Sequence, residues 1–103
     1  MNTVTPVRLQ RKRTKGFKLE SPNGLEVVYV GRPSIWGNQF AIRIYGLDGS
    51  IRRFKSAALV MKYAYPDAYE RWIAPLRGKN LCCWCKLSDP CHADVLLELA
   101  NED

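Results

Sequence analysis

Residues 79–100, KNLCCWCKLSDPCHADVLLELA, contain all four cysteines and the only histidine of the chain, so any thiol or metal chemistry must run through them. Leu81 to Cys85 reads as a short apolar strand released by Gly78. Side chains alternate along a strand, which turns Cys83 and Cys85 to one face and Cys82 and Trp84 to the other. Asp89 reads as a helix N-cap and Pro90 as the first helical residue, and the following ADVLLELA has helical apolar spacing. Cys91 and His92 then fall in the first turn, where unpaired amides favour a thiolate and disfavour an imidazolium. Those are the protonation states a metal requires. Cys83, Cys85, Cys91 and His92 therefore offer three thiolates and one imidazole, the donor set of a tetrahedral zinc site, and four protein ligands would make that zinc structural.

The same residues carry other readings. Cys82 and Cys85 form a C-x-x-C that could supply the first ligand pair or a redox pair, although such redox pairs open a helix and Cys82 lies inside the strand pattern. The cysteines could also be small buried hydrophobes, with His92 a core histidine heading the stripe Val95, Leu96 and Leu99. A nucleophilic Cys91 beside His92 is a further alternative. Asp89 and Asp94 could support a metal from behind, but capping and solvation explain each.

A second candidate site follows the strand pattern of Leu25 to Val30. Its sequence, GRPSIWGN over residues 31–38, has the glycines and proline of a shaped loop. Arg32, Ser34, Trp36 and Asn38 could form a loop that receives a ligand or nucleic acid, with amides and Arg32 for an anion and Trp36 for a base. The bland alternative is a rigid connection with Trp36 packed inward. No Walker loop or G-x-G-x-x-G is present, so no nucleotide motif is claimed.

The elements that must position these residues are few. At 103 residues the chain is expected to be one domain, 1–103, and 47% hydrophobic residues suffice for a core. Val4 to Leu9 reads as a first strand, 21–24 as a turn, and Phe40 to Tyr45 as a half-buried strand. Asp48-Gly49 reads as a hairpin turn, with Ile51 to Phe54 returning. Helices are expected over Ser56 to Tyr65 and from Pro66 to about Leu76, the latter packing through Tyr69, Trp72, Ile73 and Leu76. The sum is a compact α+β (or small α/β) domain: a small mixed sheet, about three helices covering one side, and a Cys/His zinc-like corner.

Sixteen basic against ten acidic residues give a formal net charge of +6. A basic arm over about 8–18, with Arg8, Arg11, Lys12, Arg13, Lys15 and Lys18, is expected to be irregular. It suits DNA or RNA as a partner, or simply water. No signal peptide pattern or apolar span is expected, so the chain reads as cytoplasmic, with no membrane partner. Clustered cysteines in that compartment favour metal ligation over disulfides.

The segments VYVGRPSIWGN, RGKNLCCWC and CHADVLLELA together resemble the family called domain of unknown function 4326, found in bacteriophages and bacteria. Its motifs are similar to V-Y-I/V-G-R-P-S, W-G-N-P-F, L-R-G-K-x-L-x-C-W-C and C-H-x-D-x-L. They fall on Tyr29, Gly31 to Ser34, Trp36 to Asn38, Phe40, Arg77 to Lys79, Cys83 to Cys85, Cys91, His92 and Asp94. Gln39 stands in place of the motif's proline. Cys82 occupies a variable position, which implies pairing Cys83 with Cys85. The resemblance implies a phage-type protein but no reaction. The leading expectation is thus a small zinc-stabilised accessory protein that binds nucleic acid or a nucleic-acid-handling partner. The first alternative is an enzyme acting on a nucleotide, nucleoside or modified base, for which H-x-E followed by P-C-x-x-C is lacking, so the zinc deaminase mechanism has no support. The second is an inhibitor of a host protein, steered by charge and anchored by aromatics.

Overall fold

The computed structural model describes residues 4–102; residues 1–3 and 103 of the expected domain lie outside the described residues. The elements are β1 (Arg8–Gln10), β2 (Val27–Tyr29), α1 (Ile42–Ala64), α2 (Pro66–Ile73), a 3-10 turn at Ala74–Leu76, β3 (Asn80–Cys83) and α3 (His92–Ala100). Three helices with a small three-stranded sheet make an α+β domain.

The sheet order is β1-β3-β2, with both outer strands parallel to β3. A mixed sheet was expected; among the described residues it is wholly parallel. The reason lies in the connections, because the expected hairpin strands do not exist and α1 and α2 instead carry the chain across from β2 to β3. The last strand inserts between the first two and is buried along its whole length, which accounts for the near-continuous apolar run.

Register assigns the faces. Arg8, Leu81 and Val28 are partners across the sheet, as are Leu9, Cys82 and Tyr29. Leu81 and Cys83 join Phe54 and Ala58 of α1, Ile73 of α2 and Leu96 of α3 in the core. Cys82 is also buried, but on the opposite face and outside that cluster. Asn80 shares the Cys82 face and is fully buried, with its amide satisfied by Ser21, Asn23 and the Val7 amide.

Two segments differ from expectation. Residues 42–64 are helical, where strands were expected over Phe40 to Tyr45 and Ile51 to Phe54. The alternation of Phe40, Ile42 and Ile44 is too short to specify a strand, and Ile42 and Ile44 are exposed. The decisive pattern is Ile51, Phe54, Ala58 and Met61, spaced for one helical face that packs on the core. Gly46, at φ 73°, kinks the helix instead of ending a strand, and the Asp48-Gly49 pair lies within helix. The final helix begins later than Asp89-Pro90 suggests. Cys91 is its N-cap, extended at φ −149° and ψ 152°, and Asp94 closes a capping box by accepting the Cys91 amide at 3.1 Å. Pro90 adds no helical turn, since Cys91 and Asp94 together make the stronger start.

Candidate metal centre and cleft

Parallel strands deliver their carboxyl ends to one edge, where sites commonly form. Here each strand feeds the same place. Arg13 follows β1, Gly31 and Arg32 follow β2, and Trp84 and Cys85 follow β3; all line a cleft of about 560 Å³. The beginnings of α1, through Ile42 and Arg43, and of α3, through Cys91 and His92, complete its wall.

The sulfurs of Cys83, Cys85 and Cys91 lie within 4.8 Å of one another, so the three thiols could hold a metal ion. Tetrahedral zinc with Zn–S bonds near 2.3 Å needs thiolates roughly 3.8 Å apart, within the reach of this trio. Cys83 and Cys91 are 3.0 Å apart, close enough to share a proton. Hydrogen bonding from Cys83 holds the Cys91 thiol well below its ordinary pKa, opposed by burial and aided by the Ala93 amide. The same bond, with burial, drives Cys83 upward. Burial first, then the bond to Cys91, raises Cys85. Without a cation the cluster thus keeps its negative charge on the thiol at the helix start, where amides stabilise it.

His92 is not among the three mutually close donors. Its Nε2 lies 2.8 Å from the carbonyl oxygen of Val30, and a carbonyl can only accept, so this nitrogen carries the proton. In the neutral ring Nδ1 then keeps its lone pair, 3.5 Å from the Cys91 sulfur. Cys82 faces away from the trio, so the C-x-x-C pair is not brought together.

The glycine-tryptophan loop divides its residues between cleft and core. Arg32 and Asn38 line the cleft; Ser34 and Trp36 do not. Trp36 Nε1 donates to the Trp72 carbonyl at 2.7 Å and Trp72 Nε1 returns a bond to the Ile35 carbonyl at 3.0 Å, pinning the loop to α2. Ser34 turns the loop by accepting the Trp36 amide. The Arg32–Pro33 peptide is cis. Gly31 lies against the Tyr29 ring, where an added Cβ would meet the hydroxyl at 2.5 Å and push the ring aside.

A family model described as a domain of unknown function (DUF4326) matches residues 9–102. The chain belongs to this family. Comparison with curated proteins and with solved structures returns no match. The DUF4326 match covers both loops and every cysteine, and it starts one residue after Arg8.

Arg8 was expected both within the first strand and at the start of the basic arm; it lies in β1 of this DUF4326 domain, its side chain only 9% exposed. The two N–H groups of its Nη2 are shared among the carbonyls of Lys86, Leu87 and Asp89, and its Nε stands 3.4 Å from Asp94. One arginine thus clamps the loop between Cys85 and Cys91. The arm beyond β1 is exposed and without regular strand or helix, with Lys12, Lys15 and Lys18 at the surface. Arg11 lies over both the Tyr29 and Trp84 rings, each at 5.1 Å, and Arg13 over Trp84 at 4.6 Å.

Sequence reasoning passed over four residues of this region: Arg8 as a clamp, Tyr29 and Trp84 as cleft aromatics, and Arg43. Only Trp84 left a signal, because alternation sends it away from Cys83 and Cys85. Arg43 was hidden by the mistaken strand around it.

Proposed function

We propose that the protein is an enzyme acting on a nucleotide, nucleoside or modified base, with zinc held by Cys83, Cys85 and Cys91 at the wall of the ligand cleft. The observation that carries this reading is that the thiol trio and the Gly31–Asn38 loop line one concavity. A zinc serving only to stabilise the fold needs no access to a shaped cleft. The cleft volume of about 560 Å³ also suits a small molecule. Bound there, zinc would supply Lewis-acid polarisation of a ligand group. The chain's own residues do the rest: Tyr29 and Trp84 offer planar surface, Asn38 and Ser50 form a hydrogen-bonded wall at 2.8 Å, and Arg32 is aimed by its bond from Nε to the Asn38 carbonyl.

His92 distinguishes this from a closed structural site. His92→Gln retains a donor for the Val30 carbonyl but removes the imidazole. Metal analysis of that variant should find about one zinc per chain, as in the parent, whereas zinc loss would assign His92 as the fourth ligand and favour a structural ion. Absence of zinc from the parent, purified without added metal and folded, would remove the reading altogether.

The second reading is a zinc-stabilised accessory protein that binds nucleic acid. The stacked Arg11 and Arg13 beside exposed Lys12, Lys15 and Lys18 favour it. Its mark would be binding to single-stranded DNA or RNA that weakens steeply with salt.

A further inference from the structure

We propose that the cleft selects a phosphorylated ligand, a nucleoside 5′-monophosphate over the free nucleoside, through the guanidinium groups of Arg13, Arg32 and Arg43. This rests on the nucleotide reading of the cleft and narrows it. Three arginines line the cavity and no aspartate or glutamate does. Outside the cleft, Arg8, Lys55, Lys62, Arg77 and Lys79 have a carboxylate within 4.0 Å, while among the described residues the rest of the arm and several other surface cations do not. Among the described residues, none of the cleft arginines has such a partner.

Three guanidinium groups facing one concavity, with no carboxylate on its wall, raise the local positive potential and favour an arriving anion. Guanidinium forks fit the oxygens of phosphate better than a point charge would. Arg32 is prepared for this role: its Nε is spent on the Asn38 carbonyl at 2.6 Å, which fixes the plane and leaves both terminal nitrogens for a ligand. The planar half of the ligand has its own surface. Trp84 Nε1 donates to the Tyr29 hydroxyl at 3.0 Å, and that hydroxyl donates to the Arg32 carbonyl at 2.6 Å. The rings are thereby tied into the arginine loop, and the guanidinium planes of Arg11 and Arg13 occupy positions over them that a base could take.

The test is titration calorimetry of the full metal-loaded chain with the four common ribonucleosides, their 5′-monophosphates and inorganic phosphate, at low and moderate salt. At least one monophosphate should bind about tenfold or more tighter than its nucleoside, with the gap narrowing as salt rises. The variant Arg43→Gln, at an exposed position away from both rings, should narrow that gap and keep the nucleoside affinity. Equal binding of nucleoside and monophosphate overturns the phosphate assignment and leaves the proposed function standing. Binding of neither overturns both. Inorganic phosphate binding as tightly as every monophosphate overturns the nucleotide assignment, and with it the proposal.

Discussion

The loops that leave β2 and β3 open side by side onto the same cleft, yet they are held in opposite ways. The first, residues 31–40, is largely self-supporting: Arg32 bonds Asn38, Ser34 bonds Trp36, and Asn38 accepts the Phe40 amide, with Trp72 and Ser50 as outside anchors. The second, residues 84–91, has few internal bonds and is fixed from across the sheet by Arg8, which contacts three of its carbonyls. A self-supporting loop presents a rigid ligand surface. A loop held by one remote cation and ending in thiols could hold a metal ion, which would add the missing internal cross-links.

The contrast breaks most sharply at the thiols. If metal supplies the cross-links of the second loop, Cys83→Ser should lose bound zinc and destabilise the fold by at least about 3 kcal/mol, since binding and folding are coupled. Zinc content and a denaturant titration read the two effects. A variant with unchanged stability and no metal in the parent would make the trio ordinary core. Chelation of the parent should mimic the substitution, whereas Cys82→Ser should keep its zinc, because Cys82 lies on the other face of the sheet.

The next effect falls on the clamp. Arg8→Ala removes the charge-assisted donors shared by three carbonyls and the contact to Asp94, and should cost about 2–4 kcal/mol together with roughly 10–100-fold in zinc affinity. Urea unfolding and competition with a chromophoric chelator measure them separately. A loss of stability with unchanged metal affinity would show that the loop holds its shape without Arg8.

How far the sequence could reveal this depended on whether a feature is local. Cys83 and Cys85 could be placed on one face because strand alternation is local, and the apolar run around them reported a buried central strand. The stripe of α2 was equally legible, because Tyr69, Ile73 and Leu76 needed only helical spacing to reach the core. Residues 40–54 were not legible. A short alternating run competed with a helical face whose members extend to Met61, and Gly46 served to kink a helix where glycine usually ends an element. Arg8 was illegible as a clamp for a different reason: alternation could place it in the first strand, but its carbonyl partners lie 78 to 81 residues away, so nothing near it shows what it holds. The cleft itself exists only because the parallel order brings three strand ends together.

The self-supporting loop is tested by Trp36→Phe. This retains much of the packing but deletes the Nε1 bond to the Trp72 carbonyl, at an expected cost of about 1 kcal/mol. The ligand affinity of the cleft should change less than twofold, because Arg32 and Asn38 keep their own bond. Thermal unfolding and calorimetry read these. A large loss of binding would mean that the loop depends on its anchor as the second loop depends on Arg8.

The smallest effect is expected at the outer arm. Lys15 and Lys18 are exposed, form no ion pair among the described residues, and do not line the cleft. Lys15→Gln/Lys18→Gln should therefore change stability by less than about 0.5 kcal/mol and leave small-ligand affinity untouched. The same pair is sensitive to the accessory-protein reading, in which each lost phosphate contact lowers the salt slope of nucleic-acid binding by about one. The double variant thus separates the two functions without disturbing either loop: unchanged monophosphate binding with a slope reduced by about two would place nucleic acid on the arm and the small ligand in the cleft, whereas an unchanged slope would confine recognition to the cleft.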